Sequence, residues 1–371
     1  MTEDERFMQR ALELAEKGRG RVEPNPMVGA LVVKDGEVVG EGYHEYFGGP
    51  HAEVKALKEA GERARGASLY INLEPCAHYG KTPPCVEALI EAGIKRVVLA
   101  VMDPNPLTAG KGLQRLKQAG IEVLCGVLEE EARSLNAPFF KLMTVGMPYV
   151  IAKWAMSLDG KTATHTGDSR WVSSQESRQY VHRLRSQVDA VMVGIGTVLR
   201  DDPLLTSRVE GGRNPRRVVV DGQARLPLDS RLVKTINEAE VIVATTALAP
   251  RERLEGLERV GCKLLVVKGK ERRVDLIDLM KKLGEMQFTN ILLEGGGTLT
   301  ASFFEEGLVD RVVIFMAPKI FGGGEARLPV AGVGVDRVEE AFRLKDIRVS
   351  RLSEDILIEA IVEKDSREGG K

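Results

Sequence analysis

Hydrophobic and polar positions divide the chain into two series of short apolar strands alternating with amphipathic helices. In the first series, Phe7 to Lys17 has helical period, and MVGALVVKDGEVVGEGYH alternates like a hairpin turning at Asp35-Gly36. The stretch AEVKALKEAGERA after His51 predicts a helix with Val54, Leu57 and Ala60 to Ala64 on one face, ending near Gly61 or Gly66. Strand SLYINLEP, helix CVEALIEAG, strand KRVVLAVMD, helix GLQRLKQAG and strand IEVLCGV follow, then a connecting helix around Glu129 to Met143. Gly146-Met147-Pro148 breaks the pattern. The second series runs YVIAKWAMSLDG, DAVMVGIGTVL, RRVVVDG, AEVIVATT, CKLLVVKG and NILLEGGG, and closes with RVVIFMAPKIFGGG and ILIEAIVEK. Strands and helices alternating in this way imply an α/β fold with mainly parallel sheets covered by helices. The break predicts two domains, residues 1–145 and 146–371, and the tail KDSREGGK reads as frayed.

Composition narrows the function classes. A length of 371 residues exceeds what one hydrophobic core supports, in keeping with two domains. The net charge of -1 argues against a protein that neutralises a nucleic-acid backbone, so no nucleic-acid partner is expected. The N-terminus is acidic and amphipathic, unlike a signal peptide, and no uncharged apolar run approaches the ~18 residues of a membrane span. The expected location is the cytoplasm, away from any membrane. There Cys76, Cys85, Cys125 and Cys262 are reduced, and a paired motif reads as metal-binding or catalytic.

That motif is LEPCAHYGKTPPC, in which eight residues separate Cys76 from Cys85. Upstream, GGPHAEVKAL places His51 and Glu53 where a helix begins. One histidine and two cysteines make three ligands, the number a catalytic zinc keeps when its fourth position must hold water. Glu53 then has a task, moving a proton from that water to a leaving amine. His-x-Glu followed by Pro-Cys and a second Cys is the signature of zinc-dependent nucleobase deaminases. Leu73-Glu74-Pro75 ends a strand, which leaves Cys76 at its carboxyl edge. Pro83 and Pro84 suit a helix start, so Cys85 falls in a first turn that favours a thiolate. The alternative is a structural zinc with His78 as fourth ligand, which leaves Glu53 without a role.

The spacing between the cysteines is longer than the two residues of cytidine deaminases. HAE, EPCAHYGKTPPC and the PNPMVGA of residues 24–30 together resemble the pyrimidine deaminase family of riboflavin biosynthesis, where the longer loop is normal. The resemblance implies a cytidine-deaminase-like three-layer sandwich, and it matches Asn25 and His44 to positions that contact the pyrimidine. Either residue could instead cap a turn or satisfy backbone.

The second half has no G-x-G-x-x-G after its first strand, so a standard Rossmann site is not supported. It does have NILLEGGGTLTASFF: a buried strand, three glycines and a helix starting near Thr298. Backbone amides at such a helix start suit a phosphate, although a glycine run after a strand is as often a plain turn. Polar clusters SLDGKTA, GDSRWVSS and TVLRDDPLLTSR crowd the presumptive strand ends and suggest a cleft. These segments resemble the reductase domain of the same pathway, which implies a dihydrofolate-reductase-like fold and NADPH. By that resemblance Ser169, Arg185, Leu205, Arg208 and Glu294 match substrate-contacting positions, the arginines suiting the substrate's phosphate. Ala155, Trp171, Ser173, Thr197 and Asp201 match cofactor positions, together with Gly296, Gly297, Thr298, Leu299, Thr300, Ala301 and Ser302. Without the resemblance, Arg185 would read as a solvated helix face and Trp171 as core packing.

The whole chain thus resembles the bifunctional enzymes of riboflavin biosynthesis. The resemblance implies a phosphoribosylaminopyrimidine substrate and two cofactors, Zn2+ and NADPH. It further implies hydrolytic loss of the 2-amino group as ammonia, with Glu53 catalytic and His51, Cys76 and Cys85 on the metal, followed by reduction of the ribosyl side chain to ribityl. Exposed sheet edges make a homodimer an open expectation.

Overall fold

The computed structural model describes residues 1–77, 84–105, 108–270 and 273–364. His78, Pro83 and all but the first residue of the KDSREGGK tail lie outside the described residues. The chain forms two compact units, Met1–Gly146 and Met147–Lys371.

In the first unit, α1 (Glu3–Glu16) is opened by Thr2, whose hydroxyl accepts from Glu5 N while the Glu5 carboxylate accepts from Thr2 N. Strands β1 (Gly29–Lys34) and β2 (Glu37–Tyr43) form the expected hairpin, with Asp35 and Gly36 both at positive φ as the tight turn requires. Then follow α2 (Ala52–Ala60), β3 (Ser68–Leu73), α3 (Cys85–Glu91), β4 (Arg96–Val101), α4 (Lys111–Gln118) and β5 (Glu122–Cys125). The sheet order is β2-β1-β3-β4-β5, with β3, β4 and β5 parallel. Alternation along each strand feeds two cores. Ala30, Val32, Leu69, Ile71, Val97 and Leu99 meet α2, α3 and α4, whereas Leu31, Val33, Tyr70, Val98 and Ala100 meet the helices on the other face. The result is a helix–sheet–helix sandwich.

Two sequence expectations fail here. The connecting helix is two helices, α5 (Glu129–Leu135) and α6 (Ala137–Val145), parted at Asn136. In α2 the buried face is Ala52, Glu53, Ala56 and Ala60, while Val54 is 40% exposed. The reason lies in β2: a Cβ on Gly40 would sit 2.3 Å from Ala56 O, and one on Gly42 2.5 Å from Ala52 O. The helix rides directly on two glycines, so only its alanines fit the contact. Gly40→Ala is expected to lower the unit's thermal midpoint by several degrees, because overpacking costs about 1–3 kcal/mol; an unchanged melting curve would contradict this packing account.

The second unit contains β6 (Tyr149–Ser157), α7 (Gln175–Gln187), β7 (Ala190–Gly194), α8 (Ile195–Asp201), β8 (Arg216–Val220), α9 (Arg231–Lys234), β9 (Val241–Thr246), α10 (Arg251–Arg259) and β10 (Lys263–Val267). A small ribbon of β11 (Gly269–Lys270) and β12 (Arg273–Val274) precedes α11 (Leu276–Glu285), β13 (Asn290–Leu293), α12 (Gly297–Glu305), β14 (Arg311–Ala317), β15 (Leu344–Leu352) and β16 (Asp355–Val362). The order is β10-β9-β8-β7-β13-β6-β14-β16-β15, parallel from β10 through β14 and antiparallel at the last two. The segment DAVMVGIGTVL is strand only to Gly194, after which the chain turns into α8. Strand β15 has no counterpart among the sequence expectations. It is exposed nearly throughout, so it lacks the buried apolar run that marked the others.

Candidate active sites

The first site stands at the carboxyl edge of β3. Its chemistry is set by two helix starts: His51 is the residue that caps α2, and Cys85 opens α3. The His51 Nδ1 lies 3.1 Å from Cys85 Sγ and 3.7 Å from Cys76 Sγ, and the three donor atoms fall within 4.8 Å of one another. Cys85 N, the first amide of α3, points at Cys76 Sγ at 3.4 Å. Hydrogen bonding from the Cys85 thiol lowers Cys76 to about 4, and the same bond together with burial pushes Cys85 far up. His51 is raised, chiefly by its hydrogen bond to Cys76. One nitrogen and two sulfurs in this cluster are the donor set of a three-ligand zinc site.

Glu53 is 3% exposed, and its Oε2 is buried with no hydrogen-bond partner among the described residues. Burial raises the pKa of its carboxyl. His44 is also buried: its Nδ1 reaches Pro50 O at 3.1 Å and its Nε2 meets Asn25 Nδ2 at 3.1 Å. That arrangement makes Nδ1 the donor and Nε2 the acceptor, and burial holds the ring neutral by lowering its pKa. The His44 and His51 rings meet edge to face at 5.6 Å, so Asn25, His44, His51 and Glu53 belong to one locality.

Sequence reasoning missed Glu74. This buried carboxylate, two residues before Cys76, accepts from the amides of Asp103, Gly110, Gly112 and Leu113. A glutamate beside an invisible partner loop carries no short-range signal.

The second site lies where β13, β7 and β6 end. Glu294, just past β13, takes Arg185 Nε at 2.6 Å and Arg185 Nη2 at 3.0 Å, and Lys153 Nζ stands 3.7 Å away. Arg185 is therefore no solvated helix face. Its fork is engaged by Glu294 and Thr206 O, which places Arg185 beside another of the residues matched to the substrate. Arg208 is exposed, and it joins Arg185 and Glu294 in acting on the half-buried His182, whose pKa burial and the two cations lower. Burial works against a charged Glu294, but Arg185 and then Lys153 prevail and hold it at about 2. Lys153 was also missed. Its signal was present: a lysine inside YVIAKWAMS, a strand with neighbours on both sides, reaches water only if it faces a site.

The cofactor candidates divide. Thr197 Oγ1 lies 3.5 Å from where a Cβ on Gly296 would be, so the starts of α8 and α12 face each other. A Cβ on Gly297 would lie 2.4 Å from Leu328 O, which explains a glycine there. Thr298 is exposed, Leu299 and Ser302 are half-buried, and Thr300 and Ala301 are buried. Leu205 is also buried, at φ 58. Ala155 is on β6, half-buried opposite Phe315. Trp171 is 63% exposed, with the Arg178 guanidinium 4.5 Å from its ring centroid, and is not core packing. Ser169, Trp171 and Ser173 share the segment between β6 and α7, where Lys319 Nζ donates to Trp171 O and Val172 O. The carbonyl of Asp201 accepts from Arg170.

Comparison with known proteins identifies the family. Residues 148–358 match the family described as RibD C-terminal domain, and residues 1–101 match the cytidine and deoxycytidylate deaminase zinc-binding region. The chain is 48% identical over 356 residues to riboflavin biosynthesis protein RibD of Aquifex aeolicus, covering 96% of this chain and 97% of that one. The chain belongs to the RibD family. Among solved structures, Acinetobacter baumannii RibD superposes with a TM-score of 0.87 at 40% identity, covering 98% of this chain and 99% of that one. The diaminohydroxyphosphoribosylaminopyrimidine deaminase/5-amino-6-(5-phosphoribosylamino)uracil reductase of Thermotoga maritima gives 0.84 at 39%, covering 97% and 99%. As a RibD, the chain is a bifunctional deaminase and reductase of riboflavin biosynthesis that uses zinc and NADPH. Its fold is correspondingly a cytidine-deaminase-like unit followed by a RibD reductase unit. Among the described residues, no helix is long and apolar enough to cross a membrane.

Proposed function

We propose that residues 1–145 deaminate the diaminopyrimidine substrate and residues 146–371 reduce its ribosyl side chain, with the roles below. The observation that carries the first assignment is the His51–Cys76–Cys85 donor cluster beside the orphaned Glu53 Oε2. Zinc held by His51 Nδ1 and the two sulfurs would supply Lewis acidity that makes water a nucleophile at neutral pH. Glu53 takes a proton from the attacking water at its carboxylate and returns it to the amino group that leaves as ammonia. Asn25, its Nδ2 bonded to His44 Nε2, contacts the pyrimidine together with His44. His78 lies outside the described residues, and the three-donor set accounts for Glu53 without it.

In the second unit NADPH would supply the hydride, and the paired starts of α8 and α12 suit its phosphates, with Thr197, Trp171, Ser173, Asp201, Ala155 and the 296–302 loop around it. Glu294 orients the sugar from a fixed position, because Arg185 and Lys153 hold its carboxylate in place. Phosphate recognition falls to Arg185 and the exposed Arg208, with Ser169 and Leu205 completing the substrate contacts.

Chelation is the direct test. A chelator should remove zinc, measured by metal analysis, and abolish ammonia release, while reduction of the supplied deaminated intermediate continues. Zinc affinity should fall with falling pH, since His51 and both thiols must give up protons to bind. Retention of ammonia release in fully stripped protein would overturn the metal assignment.

The finer reading of its surroundings is a cytoplasmic homodimer without a nucleic-acid partner. All four cysteines are unpaired, and the charge of -1 offers no basic excess. Val333 and Val338 are 96% and 93% exposed, and β15 is an edge strand with Ile347 and Val349 in solvent. Such an edge normally carries charge, proline or cover, and a second copy supplies cover.

A further inference from the structure

Two buried asparagines close on Met27, two residues beyond Asn25. Asn136 Oδ1 accepts from Met27 N at 2.8 Å, and its Nδ2 donates to Met27 O at 2.9 Å. Asn72 Nδ2 donates to the same carbonyl at 2.9 Å, while its Oδ1 accepts from Gly29 N at 2.8 Å. Asn136 is 2% exposed and Asn72 is fully buried. Beyond the clamp, His44 N donates to Val28 O, Asn25 N donates to Val22 O, and Asn25 Nδ2 meets His44 Nε2. A continuous bonded path therefore joins Asn136 to the Asn25–His44 pair.

The segment needs such support. Pro24 and Pro26 flank Asn25 and have no N–H to give, and β1 begins only at Gly29, so sheet bonding reaches none of residues 24 to 26. Asn136 is also an odd choice for packing. It sits at φ -101, ψ 19 where the sequence pattern of residues 129 to 143 predicts unbroken helix, and it buries an amide beside Leu135 and Phe139. A buried amide is costly unless bonded at both ends, and here both ends go to Met27.

We propose that Asn136 is a positioning residue for deamination, acting through Met27 to hold Asn25 at the pyrimidine. This rests on the reading of Asn25 and His44 as pyrimidine contacts. Asn136 comes from a different layer of the sandwich, 109 residues away in sequence.

The test is a double-mutant cycle on the full chain, with ammonia release read at saturating and limiting diaminopyrimidine substrate. Asn136→Ala should raise the deaminase KM roughly tenfold, the loss of a well-placed hydrogen bond, while kcat moves much less. Zinc content and reduction of the deaminated intermediate should match wild type. In an Asn25→Ala background the same change should add nothing to KM, because its route is already cut. Asn136→Asp keeps the acceptor for Met27 N and should recover part of the loss; it carries the test if the alanine variant loses its zinc and so has a first unit that has not folded. An unchanged KM in a folded variant, or additive effects with Asn25→Ala, would overturn the proposal. Wild-type protein that releases no ammonia would instead sink the underlying reading of the first unit.

Discussion

Glu53→Gln is expected to cut ammonia release by about a thousandfold, within the range of roughly 10²–10⁴ for loss of a positioned general acid–base. Glutamine keeps the shape of the side chain but cannot take a proton at that position and give it back. The variant should not be less stable than wild type. Burial already disfavours the Glu53 carboxylate, as its raised pKa indicates, so a neutral isostere relieves a penalty. Reduction of the supplied deaminated intermediate should proceed at the wild-type rate. Steady-state assays of both half-reactions, with melting curves, check all three statements. A variant retaining more than a tenth of the deaminase activity would remove Glu53 from the chemistry.

The second large effect is expected at Glu294. Glu294→Ala leaves Arg185 and Lys153 buried without their counter-charge, a loss of about 3–5 kcal/mol, and should abolish NADPH oxidation. The pH dependence follows from the sign of the shift. The Glu294 carboxyl falls from 4.5 to about 2 on folding, so its contribution is present above the unfolded value and is lost as pH drops from about 4.5 toward 2. The size is roughly 3 kcal/mol by linkage. Denaturant unfolding of Glu294→Gln between pH 3 and pH 6 should therefore show a flatter acid limb than wild type. Equal slopes would mean that the Arg185–Glu294–Lys153 cluster is not held as described.

The deaminase site was legible because its ligands sit at element boundaries that leave marks in sequence: a histidine before a helix, a cysteine after a strand, a second cysteine behind proline. What sequence could not show was partnership between distant segments. Read alone, Arg185 suggested a solvated helix face, and only the fold showed its ion pair with Glu294. Lys153 was hidden in an apolar strand, and the break at Asn136 was hidden in a helical period. Val54 was assigned to the core because its residue type belongs there, yet Gly40 and Gly42 bring α2 so close to β2 that only alanine fits. Strand β15 escaped because its pattern is that of a surface both of whose faces are exposed.

The most direct test of two sequential sites is one reaction containing the diaminopyrimidine phosphoribosyl substrate and NADPH, with ammonia and NADPH followed together in zinc-loaded protein. The account predicts that ammonia appears first and that NADPH oxidation follows after a lag, reaching one NADPH per ammonia. NADPH oxidised without ammonia release, or ammonia released with no later oxidation, would contradict it.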